Sequence, residues 1–261
     1  MNALMIASTG MSAQQLAVET IANNLANMST TGFKKSVNEF QDLIYQTVKS
    51  AGTATGTGTN PIGIQIGTGV KPVSIHKIFS QGDFTQTGNP LDIAIQGDGF
   101  LQVSMPDGTI SYTRSGSLQT DSNGNVVTAD GYQILPAMTI PNDAQSITIS
   151  PQGLLSVIRA GNSTPVQIGT IDIARFPNEG GLSSIGQNLY KLTTGSGDAL
   201  TGVPGLTGFG TLLQGSLENS NVNIAEEMVN MIVAQRAYEV NSKAIQTSDD
   251  MMAMVNNLKQ N

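Results

Sequence analysis

The chain has 261 residues, enough to bury the core of one large domain or of two modest ones. Its net charge of −7 and its lack of a basic stripe argue against nucleic-acid binding, which needs clustered lysine and arginine. The sequence contains no cysteine, which excludes thiol catalysis, thiolate metal sites and disulfides.

The N-terminus lacks the features of a secretory signal peptide. Its first positively charged side chain is Lys34, so no basic segment precedes an apolar one. No apolar stretch of about 18 residues occurs anywhere, so membrane insertion is not expected. These features predict a cytoplasmic protein or one exported by a route that reads no cleaved signal.

An apolar heptad repeat runs through the N-terminal segment. Its two rows are Leu4, Met11, Val18 and Leu25, and, three positions later, Ala7, Gln14, Ile21 and Met28. This a/d pattern predicts a helix in a coiled-coil seam, weakened by its Ala and Gln positions. Ser12 followed by Gln15 resembles a capping box, which predicts a helix start near Ser12, with extension upstream only when supported. Residues 30–32 are predicted to end the helix.

A second heptad repeat occupies the C-terminus and predicts the longest element of the chain. One row consists of Ile224, Met231, Tyr238, Ile245 and Met252, and a neighbouring row of Ala234, Asn241, Ser248 and Val255. Asn223 with Glu226 three residues later predicts the N-cap of this helix.

Two interpretations of the terminal helices are open. They could pair within one molecule as a coiled coil, or they could complete their cores with neighbouring subunits. The polar seam residues Gln14, Asn241 and Ser248 and the single ionisable residue before Lys34, Glu19, favour the second interpretation. The predicted subunit-interface residues are Leu4, Met11, Val18, Ile21, Asn24, Leu25, Asn27, Met28, Ile224, Met231, Tyr238, Ile245, Met252 and Val255.

Between the helices the pattern changes to short strands and tight turns. Asp107-Gly108, Asn123-Gly124 and Asp130-Gly131 separate short alternating apolar runs and predict antiparallel hairpins. The predicted fold is therefore α+β, with terminal helices forming a coiled-coil layer, a β-rich central domain of short antiparallel strands and an extended connector. The predicted domains are an N-terminal helix (1–32), an extended connector (33–83), a β-rich domain (84–215) and a C-terminal helix (216–261).

The connector includes a glycine- and threonine-rich segment from Lys49 to Val70. It shows no helical period, so its composition alone predicts a loop or an extended linker.

Few residues suggest catalysis or ligand binding. His76 is the only histidine and lies in a strand-like run, where an ordinary strand residue is expected. The segment from Asp121 resembles the start of a calcium loop, but Val126 and Tyr132 occupy positions that require Gly and Glu, which favours a hairpin turn. No cofactor, metal site or catalytic residue is predicted, although paired carboxylates for glycoside hydrolysis stay open.

Three motifs resemble those of a known family. The sequence IANNLANMSTTGF at 21–33, the sequence GDGFLQV at 97–103 with the strands after it, and SNVNIAEEMVNMIVAQRAYEVNSKAIQTSDDMM at 220–252 are similar to signatures of the bacterial flagellar axial proteins, the rod and hook group. They occur in family order and cover both ends and the middle of the chain. IGTGVKP at 66–72 and the QRAYEVNSK run point to the distal-rod branch.

The resemblance implies a structural subunit of the flagellar basal body, with no enzymatic activity. It would be exported unfolded through the flagellar type III apparatus and would stack helically with copies of itself into a hollow shaft across the periplasm. The implied partners are other rod proteins, the hook protein and the surrounding basal-body rings. The resemblance also implies that residues 45–70 form an ordered brace between subunits, against the prediction from composition.

Two alternatives stay open. The first is a proximal rod or hook protein of the same group. The second, from another class, is a periplasmic glycan hydrolase.

Overall fold

The computed structural model describes residues 2–52, 54–55, 58–59, 62–161 and 164–260. Two long terminal helices and many short antiparallel strands confirm the predicted α+β class. The chain forms two compact units. Unit 1 consists of the described residues in 1–25, 36–76 and 223–261, and unit 2 of those in 26–35 and 77–222.

Helix α1 spans Asn2–Ala26. The helix extends upstream of the start predicted near Ser12, and the Ser12 hydroxyl donates back to the Ser8 carbonyl, 3.2 Å away, inside a continuous helix. The helix also ends before the predicted residues 30–32. A turn follows it, in which the Thr30 amide donates to the Asn27 carbonyl.

Helix α2 spans Ile224–Gln260 and is the longest described element, as predicted. The predicted cap is confirmed, because Asn223 Oδ1 accepts the amide hydrogens of Ala225 and Glu226 at 3.1 and 3.4 Å. Neither helix, over its described residues, combines the length and apolarity needed to cross a bilayer.

The strands of unit 1 are paired in twos. Strands β1 and β6, β2 and β5, and β3 and β4 form three small sheets. Their bounds are β1 Ser36–Asp42, β2 Gln46–Lys49, β3 Ala54–Thr55, β4 Gly58–Thr59, β5 Ile64–Ile66 and β6 Val70–Lys77.

The pairing of β2 with β5 corrects the loop predicted from composition. Gln46 lies opposite Ile66, so the two strands form an antiparallel ribbon. The alternation of Ile62, Ile64 and Ile66 is a strand pattern that the glycine and threonine content concealed. Positions 53, 56, 57, 60 and 61 of that predicted loop lie outside the described residues.

Unit 2 is built from strands. Those described are β7 Phe84–Gln86, β8 Ile93–Gln96, β9 Phe100–Ser104, β10 Ile110–Thr113, β11 Leu118–Thr120, β12 Val126–Thr128, β13 Gln133–Leu135, β14 Ala144–Ile149, β15 Leu154–Arg159, β16 Val166–Thr170, β17 Ile173–Arg175, β18 Ser183–Gly186, β19 Leu189–Lys191, β20 Leu200–Gly202, β21 Thr211–Gln214 and β22 Ser216–Glu218. Within its described residues, nine strands form the main sheet, with β9 near its centre, and β14, β15 and β16 form another. Strands β21 and β8, and β22 and β7, form two-stranded pairs.

The predicted turns of unit 2 are confirmed. Gly108, Gly124 and Gly131 have φ values of 79°, 82° and 87°, which glycine adopts without steric cost. The Asp121 carboxylate accepts hydrogen bonds from the amides of Asn123 and Asn125 and stabilises the turn, as expected for a hairpin rather than a calcium loop.

Two groups of buried side chains form the core of unit 2. The larger is aliphatic and includes Ile93, Leu101 and Ile173, each with an exposed fraction of 1% or less. The smaller is aromatic, and Phe100, Tyr112, Phe176 and Tyr190 pack edge to face in it. Each fully buried aliphatic side chain stabilises the fold by about 1.5–3 kcal/mol.

The buried tyrosines predict that unit 2 loses stability in alkali. Burial raises the pKa of Tyr190 and of Tyr112 above the usual 10.0, so above that pH each phenol ionises in the unfolded chain before it does in the folded chain. The unfolded state then binds fewer protons, and stability falls as pH rises. Replacing Tyr190 by Phe should make this fall shallower by up to about 1.4 kcal/mol per pH unit, measured by urea unfolding between pH 10 and 12. An unchanged slope would contradict the assignment.

Candidate assembly interface

The two terminal helices contact each other within unit 1. Asn24 Nδ2 donates to Glu227 Oε2 at 3.2 Å, and a Cβ atom added to Gly10 would lie 3.0 Å from Asn241 Nδ2. The two contacts lie fourteen residues apart on each helix and in opposite order, so the helices run antiparallel in a heptad register. Gly10 thus leaves room for Asn241.

Asn24 connects three parts of unit 1. Its side chain is 1% exposed, and its Nδ2 also donates to the Ser36 carbonyl at 2.9 Å. Its Oδ1 accepts the hydrogen of the Ser36 amide at 2.9 Å. Asn24 is among the predicted subunit-interface residues, whereas these three hydrogen bonds join it to other residues of its own chain.

The Asn24 contacts predict a large effect of Asn24→Asp. The new carboxylate keeps the bond from the Ser36 amide but cannot donate, and it places a second anion beside the buried Glu227. We expect a loss of about 3–5 kcal/mol in the free energy of unfolding, the range for a buried uncompensated charge. Adding Glu227→Gln restores a donor opposite Asp and should recover part of the loss. Thermal unfolding of both variants followed by circular dichroism checks this, and a double variant no more stable than the single one would contradict it.

The predicted interface residues fall into three groups of exposure. Asn24 is buried, and Leu4, Met11, Val18, Ile21, Leu25, Asn27, Met231 and Ile245 are half-buried. The exposed ones are Met28, Ile224, Tyr238 and Met252. The side chain of Val255 lies outside the described part of the chain.

The heptad rows include the buried Ala7 and Ala234 but not other buried positions of the helices. Those missed include Ala13 and Thr20 on α1 and Glu227 on α2, each 9% exposed or less. Their signal in the sequence is the row of small or polar residues Glu227, Ala234, Asn241 and Ser248 at seven-residue spacing, which lets the helices approach closely.

The opposite face of α2 is exposed, and five of its side chains are apolar, although Arg236 and Glu239 share that side of the helix. Met228, Val229, Ile232, Val233 and Val240 have exposed fractions between 53% and 65%. At about 100° per residue they lie across the helix from Glu227 and Ala234. We call these five residues the outer face of α2. A helix that is packed on one side and exposes apolar side chains on the other is typical of burial between two partners, of which one is missing in a single chain.

The ribbon of β2 and β5 also exposes apolar side chains. Ile44, Val48, Ile62 and Ile64 have exposed fractions of 87%, 61%, 77% and 54%. Exposed apolar patches of this kind mark interaction sites in soluble proteins. The ribbon is a second surface of unit 1 suited to contact with other molecules.

The residues considered for chemistry have structural surroundings. His76 lies in β6, as predicted for an ordinary strand residue, with its Nδ1 3.9 Å from a carboxylate oxygen of Glu39. Among the described residues, no three His, Cys, Asp or Glu side chains are grouped as metal ligands would be.

Three family models match the chain in sequence order. They are "Flagella basal body rod protein" over residues 4–34, "Flagellar hook protein FlgE/F/G D1 domain" over 94–157, and "Flagellar basal body rod FlgEFG protein C-terminal" over 213–258. The first and last cover most of α1 and α2. The middle model covers strands β8 to β15 except the first residue of β8 and the last two of β15.

Full-length relatives are similar over almost the whole chain. The flagellar basal-body rod protein FlgG of Borreliella burgdorferi is 54% identical over 262 residues, covering 99% of both chains. That of Buchnera aphidicola subsp. Schizaphis graminum is 50% identical over 256 residues, covering 98% of both. That of Caulobacter vibrioides is 48% identical over 261 residues, covering 99% of this chain and all of its own.

Paired terminal helices, a strand-rich unit between them and the three matched models define an axial protein of the flagellar rod and hook class. The resemblance found in the sequence is thereby confirmed. The level and extent of identity decide among the members of that class: the chain belongs to the FlgG family of flagellar basal-body rod proteins. It is a structural subunit located in the basal-body rod.

Proposed function

We propose that this chain polymerises helically into the hollow, rigid distal rod, the shaft that transmits torque across the periplasm to the hook. The observation that carries the proposal is the outer face of α2. Its five apolar side chains are more than half exposed in the single chain although the other side of the helix is already packed. In the polymer, neighbouring copies would cover them.

The expected free energy of one contact explains why a subunit would need several neighbours in order to assemble. Burying the remaining exposed part of each side chain gains about 1 kcal/mol, and the outer face therefore about 5 kcal/mol. Association of two free molecules costs about 4–15 kcal/mol in lost translational and rotational freedom. A single such contact would leave a dimer weak, whereas a subunit at the growing tip contacts several neighbours at once.

The ribbon supports a brace between subunits. Its exposed isoleucines would pack against adjacent copies and stiffen the shaft, as the family resemblance implies. We include in the proposal the expected partners, which are other rod proteins, the hook protein, the surrounding rings and the type III export apparatus. The subunit-interface residues predicted from the heptads belong to the same proposal.

Comparison of free and assembled subunits tests coupled folding. If the helices are completed by neighbours, free subunits should show much less helix by circular dichroism than assembled rods. Ile21→Asp and Met231→Asp should block polymerisation while unit 2 stays folded. Equal helicity in both states, or normal assembly of both variants, would count against the proposal.

We further propose that the chain acts without catalysis. The carboxylate best suited to the rival hydrolase is Glu179, because burial raises its pKa above the usual value, although the nearby charge of Arg114 lowers it again. Incubation with peptidoglycan should release no fragments. Release that is lost in Glu179→Gln would favour the hydrolase instead.

A further inference from the structure

A cluster of buried charges lies in unit 2, next in sequence to both terminal helices. Lys34 and Glu218 are fully buried, and Lys34 Nζ lies 2.6 Å from Glu218 Oε1. Arg114 is 4% exposed and places its Nε 3.6 Å from Glu218 Oε2. Burial costs several kcal/mol per ion unless partners compensate, so each charge depends on the others.

Glu218 connects two segments that are far apart in sequence. Its backbone carbonyl accepts the hydrogen of the Gly32 amide at 2.8 Å, and its Oε1 also accepts that of the Gly82 amide at 3.0 Å. Lys34 Nζ donates to the Ser80 carbonyl at 2.8 Å. The segment after α1 and the strand before α2 are thus joined through one carboxylate.

Asn221, three residues after Glu218, makes a similar connection. Its Oδ1 accepts the hydrogen of the Lys35 amide at 2.7 Å, and its Nδ2 donates to the Ile78 carbonyl at 2.8 Å. Residues 32–35 therefore make hydrogen bonds to both 218 and 221.

We propose that Glu218 and Lys34 form a latch that makes the docking of residues 32–35 and of residues 218–221 onto unit 2 a single event. Without Glu218, Lys34 and Arg114 face each other as buried like charges. Without Lys34, Glu218 loses its shortest hydrogen bond, and the Ser80 carbonyl loses that donor. Neither segment then stays docked without the other. The latch is a property of the folded chain and does not rest on the proposed function.

Burial and the positive charge of Arg114 both lower the pKa of Lys34, while the hydrogen bond and the charge of Glu218 raise it. Glu218 therefore offsets part of the effect of burial on this pKa. The effect of Glu218 on the pKa of Lys34 agrees with the geometry, in which the Glu218 carboxylate lies close to both Lys34 and Arg114.

Native-state hydrogen exchange of the full chain tests the latch without any substitution. The amides of Gly32, Lys35, Gly82 and Asn219 all bond across the latch or beside it. They should open with one shared free energy under mildly denaturing conditions. Protection factors of Gly32 and Lys35 that differ by more than about tenfold from those of Gly82 and Asn219 would overturn the proposal.

Two variants extend the test. Glu218→Gln keeps the size of the side chain but leaves two cations unpaired, so protection at Gly32 and Lys35 should fall by roughly 100- to 1,000-fold. Asp130→Asn, which removes an exposed carboxylate from the same unit, should leave it unchanged. If Glu218→Gln does not fold, the milder Lys34→Met serves: it should expose the Asn219 amide, and a loss of protection confined to residues 32–35 would overturn the latch.

Discussion

Replacing Val229 by Asp should abolish rod assembly and leave the chain folded. Val229 is 59% exposed, so the single chain loses little packing, and an acid in the second turn of α2 interacts favourably with the helix dipole. In the polymer, by contrast, the carboxylate would be buried among apolar side chains without a partner, which costs several kcal/mol at every copy. We expect loss of motility and no rods by electron microscopy, with an unchanged circular dichroism spectrum of the free chain.

The matched control is Asn230→Asp. It adds the same charge one position away, at an exposed polar residue outside the outer face of α2. Rods should form in this variant, with at most a few-fold change in yield. Normal rods in Val229→Asp, or equal defects in both variants, would refute the role given to the outer face.

Replacing Gly116 by Ala should unfold unit 2. A Cβ atom added at Gly116 would lie 1.6 Å from the carbonyl oxygen of Ile93, whose amide donates to the Gly116 carbonyl at 3.0 Å. Backbone must move to relieve the clash, and Ile93 belongs to the fully buried aliphatic core. We expect a loss of more than about 4 kcal/mol, seen as a lowered urea midpoint.

Gly180→Ala provides the comparison for Gly116→Ala. An added Cβ there meets only the Asn178 side chain, at 3.4 Å, which is ordinary contact. Its stability should stay within about 0.5 kcal/mol of the original chain. A Gly116→Ala chain as stable as Gly180→Ala would show that the approach of the two backbone segments is not required.

The caps, turns and helices that depend on residues close together in the sequence could be predicted from it. Asn223 identified the start of α2 because a cap needs only the amides of the next residues. The Asp-Gly and Asn-Gly pairs identified the turns of unit 2 because φ near 80° favours glycine. Heptad spacing likewise identified both terminal helices.

Features that depend on distant partners could not be predicted. Ser12 resembled a cap, but the helix continues through it, because the heptad residues Leu4, Ala7 and Met11 lie upstream and α1 contacts α2. Composition did not indicate the ribbon, because β2 pairs with a strand fifteen residues further on. Nothing near Lys34 in the sequence indicates that its buried side chain pairs with that of Glu218, 184 residues away.

The outer face of α2 escaped notice for a different reason. The two heptad rows of α2 contain residues such as Ile224, Met231 and Tyr238 but none of the five residues of the outer face. Met228 and Ile232 belong to a second apolar face of the same helix, so only the exposed fractions of the side chains separated the covered face from the uncovered one.

Cysteine protection tests the central claim most directly. The chain has no cysteine, so Val229→Cys introduces a single reactive thiol. If neighbouring copies cover the outer face of α2, a maleimide should label this thiol in free subunits and fail to label it in intact rods. Equal labelling of free and assembled subunits would contradict the account.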